Sequence, residues 1–246
     1  MYTDYLKELV HQLEATKVLD KNGKAYPDYN VAMQQLIDLF TEIKREGKQV
    51  FFIGNGGSAG IAGHMTADFM KNGGMKTYSL YDNPLTTCMG NDYGYEYIFS
   101  RPLEFLGNEG DLLVAISSSG NSMNIVNAIE VAKEKNMKVL TLSGFKEDNR
   151  IKQMGNYNLY VPVCHYGMVE SIHNLILQQI HKKGYLVIVV TNQSGVARGY
   201  LTEEMLQKLN AYLQKETGKV ISKQAKRQER KRFLSKDGNA ASSRIL

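Results

Sequence analysis

His64 and Asp68 stand four residues apart in a stretch of helical spacing, so both side chains project to one face. An imidazole beside a carboxylate can move a proton, or supply half the ligands of a zinc site. The same spacing also describes an ordinary exposed polar pair. His165 and His173 follow late in the chain. His173 lies within the apolar pattern Ile172, Leu175, Ile176, where a lone histidine is commonly a satisfied core residue. The run Ser117-Ser118-Ser119-Gly120-Asn121-Ser122 offers a different chemistry. It follows the apolar run Leu112 to Ile116 and precedes a helical pattern that begins near Met123. Unpaired N–H groups at a helix N-terminus attract an anion, serine hydroxyls add donors, and Gly120 permits a tight turn. Such a loop can equally be a plain helix cap.

The elements that must carry these residues alternate. Residues 2–18 and 28–46 read as amphipathic helices, joined through a turn at Asp20-Lys21-Asn22-Gly23-Lys24. Strands are predicted at Gln49–Ile53, Lys76–Leu80, Leu112–Ile116, Lys138–Leu142 and Tyr157–Val161. Helices are predicted near 59–71, 123–135 and 167–182, with short helices across 83–107. This alternation argues for an α/β, doubly wound parallel sheet of five strands preceded by N-terminal helices. Ligands of such sheets bind outside the carboxyl ends of the strands. Gly54-Asn55-Gly56-Gly57-Ser58 and Ser117–Ser122 both fall at such ends, and two Gly/Ser loops on one rim favour the phosphate reading over the cap.

Composition bounds the rest. A chain of 246 residues with 43% apolar residues can bury a sizeable core. Cys88 and Cys164 form neither a disulfide framework nor a paired metal motif. No apolar run reaches a membrane span, and Met1-Tyr2-Thr3-Asp4-Tyr5 lacks a signal pattern, so a cytoplasmic protein without membrane partners is expected. The net charge of +5 is local: nine Lys/Arg against Glu229 and Asp237 give 219–246 a charge of +7, leaving the preceding chain near −2. A near-neutral body gives no reason to expect nucleic acid.

Residues 1–182 resemble the phosphoheptose isomerases of the sugar isomerase (SIS) domain family. The resemblance rests on Gly54-Asn55-Gly56-Gly57-Ser58, on His64, on Gly90-Asn91-Asp92-Tyr93-Gly94, on Ile116 to Ser122, and on Ile172-His173. It implies a flavodoxin-like fold and a homotetramer whose N-terminal helices join a central bundle. It also implies conversion of sedoheptulose 7-phosphate into D-glycero-D-manno-heptose 7-phosphate, a step toward the heptose of surface glycans. Such an isomerase needs a base, an acid and stabilisation of an enediol oxyanion. The resemblance casts Asp68 and His173 as catalytic, with aspartate standing where familiar members have glutamate. It implies substrate contacts from Asn55, Gly56, Gly57, Ser58, Asn91, Asp92, Ser117, Ser118, Ser119, Ser122 and His165, the last standing where familiar members have glutamine. A zinc ion would be held by His64, Asp68, His165 and His173. Glu170 reads equally well as a solvated helical charge, and nothing local compels a phosphate role for Arg101. The competing expectation is a non-catalytic SIS binding module, like the DnaA initiator-associating protein; the histidine set favours the enzyme.

A second resemblance covers 183–218. Gly184 to Tyr200, with Thr191-Asn192, is similar to a piece of the heptose bisphosphate phosphatases of haloacid-dehalogenase fold. The piece lacks the Asp-x-Asp nucleophile, without which no phospho-enzyme forms, so no phosphatase activity is expected. Residues 219–246 read as a basic, disordered tail.

Overall fold

The computed structural model describes residues 2–183. Apart from Lys183, the fragment at 183–218 and the tail at 219–246 lie outside the described residues. In chain order the elements are α1 (Tyr2–Glu14), β1 (Lys17–Asp20), α2 (Tyr29–Arg45), β2 (Gln49–Gly54), α3 (Gly57–Lys71) and β3 (Lys76–Ser79). Then come α4 (Asn83–Tyr93), a 3-10 turn (Tyr95–Tyr97), α5 (Ser100–Leu106), β4 (Leu112–Ser117), α6 (Met123–Glu134) and β5 (Lys138–Gly144). A second 3-10 turn (Arg150–Gln153), β6 (Tyr157–Val161) and α7 (Tyr166–Lys183) complete it.

The strands form one sheet in the order β1-β6-β5-β4-β2-β3. Five are parallel, as the alternation predicts, but the sheet has a sixth strand, not five: β1 pairs antiparallel with β6, Lys17 opposite Tyr160 and Asp20 opposite Tyr157. The helix predicted over 2–18 therefore stops at Glu14, because Val18 and Leu19 gain burial at the sheet edge. Asp20 Oδ1 accepts from the N–H groups of Asn22 and Lys24 and turns the chain back.

Helices cover both faces, and the sequence shows why. On α2, Ala32, Met33, Leu36, Ile37, Phe40 and Ile43 recur at helical spacing and are buried. Asp28 caps that helix, accepting from Val31 N at 2.9 Å. α2, α3 and α7 pack on one sheet face around Phe52, Phe69, Ile172 and Ile176. α5 and α6 pack on the other, around Phe51, Ile53, Phe99 and Ile129. No helix among the described residues is long and apolar enough to cross a membrane.

Candidate active site

β2 and β4 are neighbours in register, Gly54 opposite Ile116, so the loops after them leave the sheet at the same end. Their crossovers diverge. β2 feeds α3 on one face and leads to β3; β4 feeds α6 on the other face and leads to β5. Direction reverses between these two strands, and a crevice opens where a doubly wound sheet takes its ligand.

The first wall is Gly54–Ser58. A Cβ on Gly54 would fall 2.7–2.8 Å from Ser58 backbone and Cβ atoms, so the chain doubles back only with glycine there. Gly56 takes a positive φ of 55°. Ser58, expected to meet substrate, is 3% exposed and packs beneath this turn. Tyr81 OH donates to Gly54 O at 2.7 Å, and burial raises its pKa. A Cβ on Gly57 would collide with the Glu170 carboxylate. A carboxylate thus already faces the N-terminus of α3.

The second wall is Ser117–Ser122. Ser117 is buried, and its Oγ and carbonyl both accept from Gly120 N. Gly120 has φ 66°, and a Cβ there would collide with the side chain of Asn149. Asn149 in turn donates to the carbonyls of Gly144 and Lys146. Ser118 Oγ is buried without a protein partner. Ser119 Oγ accepts from Asn121 N at 3.4 Å, and Ser122 precedes α6 without a side-chain capping bond. The N-terminus of α6 therefore faces the crevice with serine hydroxyls, whereas that of α3 is faced by the Glu170 carboxylate. It is the better anion site of the two.

Asn55 stands between the walls. Its amide pairs reciprocally with Asn124 in the first turn of α6, each Nδ2 donating to the other's Oδ1 at 2.9 Å. Tyr95 OH donates to the same Asn55 Oδ1 at 3.0 Å. Nothing in the sequence singles out Asn124, because asparagine at a helix start reads as capping. Asn91 and Asp92, expected as a substrate pair or a turn, form the exposed last turn of α4, which Gly94 ends at φ 100°. There Asn91 donates to Asp92 Oδ1, and Cys88 Sγ to Asp92 Oδ2.

His64 and Asp68 meet as their spacing predicts, with Nε2 3.0 Å from Oδ2. Gln178 of α7 joins them, donating from Nε2 to Asp68 Oδ2 at 2.9 Å. Glutamine in an amphipathic helix carries no sequence signal, so this third member was not anticipated.

The other two histidines are not brought to that pair. His173 is 0% exposed, and its Nε2 lies 3.1 Å from Ser143 O, which makes Nε2 the protonated nitrogen. Burial lowers its pKa to about 4, against the opposing effect of that hydrogen bond, so the ring is neutral near pH 7. The ring is buried with Nε2 bonded to Ser143 O, while Nδ1 is buried with no hydrogen-bond partner among the described residues. His165 is exposed, its Nδ1 accepts from Met168 N at the start of α7, and its ring packs edge-on to Tyr5. Among the described residues, no three of His, Cys, Asp and Glu converge as a metal site. The expected zinc quartet is not assembled, because helix capping and core burial occupy two of its four members.

The SIS domain family matches residues 2–144. The phosphoheptose isomerase of Serratia proteamaculans is 36% identical over 186 residues, 74% of this chain and 93% of the relative. That of Proteus mirabilis is 39% identical over 188 residues, covering 74% and 94%. Among solved structures, phosphoheptose isomerase GmhA from Neisseria gonorrhoeae shares 32% identity with a TM-score of 0.58, over 63% of this chain and 86% of that one. The phosphoheptose isomerase from Francisella tularensis gives 26% and 0.63, over 74% and 95%. With the Ser/Gly crevice and the His64–Asp68 pair in place, this similarity over nearly the whole length of its relatives shows that the chain belongs to the phosphoheptose isomerases of the SIS domain family.

Proposed function

We propose that the protein isomerises sedoheptulose 7-phosphate to D-glycero-D-manno-heptose 7-phosphate through an enediol, in heptose biosynthesis. The observation that carries this reading is the switch-point crevice, with one helix N-terminus lined by serines and the other faced by Glu170. The phosphate sits on the N-terminus of α6, held by Ser119, Ser122 and the orphan Ser118 hydroxyl. Asn55 contacts the sugar. Asp68 is the base: Oδ2 is occupied by His64 and Gln178, which leaves Oδ1 for a substrate proton. His64 is half exposed beside it and is the partner for returning that proton to the neighbouring position. The donor set does not fit the expected zinc ion, and no step is routed through one.

Asp68 lies eleven residues beyond Gly57 on α3, about 16 Å along the helix at 1.5 Å per residue. That is further than a seven-carbon chain reaches from its own phosphate cradle. In this reading the carboxylate serves a sugar held by a neighbouring copy. Leu6 and Val10, exposed at 59% and 53% on α1, supply an apolar stripe for assembling the homotetramer. The protein acts in the cytoplasm, where its phosphorylated substrate is made.

A second reading, a non-catalytic phosphosugar-binding module, draws support from the burial of His173. A coupled assay with sedoheptulose 7-phosphate separates the two. Turnover establishes the isomerase; saturable binding without turnover would replace it with the module.

A further inference from the structure

Asn124 is 2% exposed, too buried to touch a ligand, yet both ends of its amide are committed to Asn55. An asparagine amide offers two N–H donors and one oxygen with two lone pairs. At Asn55 both lone pairs are taken, one by Asn124 Nδ2 at 2.9 Å and one by Tyr95 OH at 3.0 Å. One Asn55 N–H goes to Asn124 Oδ1 at 2.9 Å. What remains is a single N–H. Rotating the Asn55 amide alone by half a turn would set oxygen against oxygen and nitrogen against nitrogen at Asn124 and break both bonds of that pair, so its orientation is held from α6, with Tyr95 of the 3-10 turn as a third partner. α6 also steadies that turn, since Asn127, one helical turn beyond Asn124, donates from Nδ2 to Glu96 O at 2.9 Å.

We propose that Asn124 and Tyr95 are positioning residues that lock Asn55 as a hydrogen-bond donor, so that the sugar phosphate must present an oxygen lone pair there. This rests on the crevice being the sugar-phosphate site. The bridge joins the loop after β2 to the helix after β4, so it also fixes the width of the crevice between them.

The test is a double-mutant cycle on KM for sedoheptulose 7-phosphate, with thermal midpoints recorded for every variant. Asn124→Leu and Tyr95→Phe are each expected to raise KM about five-fold, the worth of roughly one hydrogen bond, with kcat changed less than about three-fold. In an Asn55→Leu background neither change raises KM further, because the lock has nothing left to hold. Additive increases, or a fall in kcat at constant KM, overturn the proposal. Tyr95 is exposed, so Tyr95→Phe keeps the test valid if Asn124→Leu fails to fold. If the wild type shows no turnover, the isomerase reading fails, and the same cycle is read on the calorimetric Kd of sedoheptulose 7-phosphate. Absence of that binding overturns the lock as well.

Discussion

Gln178 Nε2 donates to Asp68 Oδ2 at 2.9 Å and ties α7 to α3 across 110 residues of sequence. The carboxylate is thereby pinned by two donors on one oxygen, His64 from its own helix and Gln178 from its neighbour. This grip fixes where the short aspartate side chain ends.

Asp68→Asn tests the base directly. The amide oxygen still accepts from Gln178, so the local geometry survives while the proton acceptor is lost. Turnover is expected to fall about 10²–10⁴-fold, the usual worth of a positioned base, with the unfolding midpoint unchanged. Retention of kcat within a few-fold would remove Asp68 from the chemistry.

His173 makes stability depend on pH. Its folded pKa, lowered to about 4 by burial, lies below the unfolded value of 6.5, so the unfolded chain binds the extra proton first. The contribution is fully present above pH 6.5 and is lost progressively as pH falls toward 4. A shift of this size is worth about 3 kcal/mol. His173→Gln keeps a donor for Ser143 O and cannot titrate. Urea midpoints measured at pH 7 and pH 5 should therefore differ less in the variant than in the wild type. Equal midpoint differences in the two proteins would show that the ring does not titrate as its burial requires.

The parallel sheet and both crevice loops were legible because short apolar strand runs alternate with helical-period patterns from Gln49 to Val161. β1 was not, since Lys17–Asp20 continues an amphipathic pattern and its partner, Tyr157–Tyr160, lies 140 residues away. Residue type could not show that the histidines lie apart: His173 shares the apolar face of Ile172 and Ile176 and is buried, while His165 is exposed at the start of α7. Gln178 and Asn124 became visible only through their partners, because an amide's function depends on where its two ends point.

Gly120 carries the geometry of the serine loop. Its φ of 66° is costly for any side chain, and a Cβ would collide with Asn149, which is itself held by the carbonyls of Gly144 and Lys146. Gly120→Ala is expected to destabilise the fold by about 2 kcal/mol or more. It should also raise the inhibition constant for inorganic phosphate, because the turn presents the N-terminus of α6. A stable variant with unchanged phosphate inhibition would place the anion elsewhere.

The reach of α3 separates a site within one copy from a site shared between copies. Asp68 stands about 16 Å along α3 from Gly57, which lies on the rim where the phosphate is proposed to bind. A shared site therefore draws its cradle from one copy and its carboxylate from another. Asp68→Asn and Gly120→Ala would each be defective alone, for different reasons. Unfolded and refolded together in equal amounts, they should regain up to about one quarter of wild-type sites, since random assembly of a symmetric oligomer unites an intact cradle with an intact carboxylate at that frequency. If each site lay within one copy, no mixture could build an intact one, and activity would stay at the level of the separate variants. Recovery on co-refolding but not on simple mixing would further show that the copies exchange slowly once assembled.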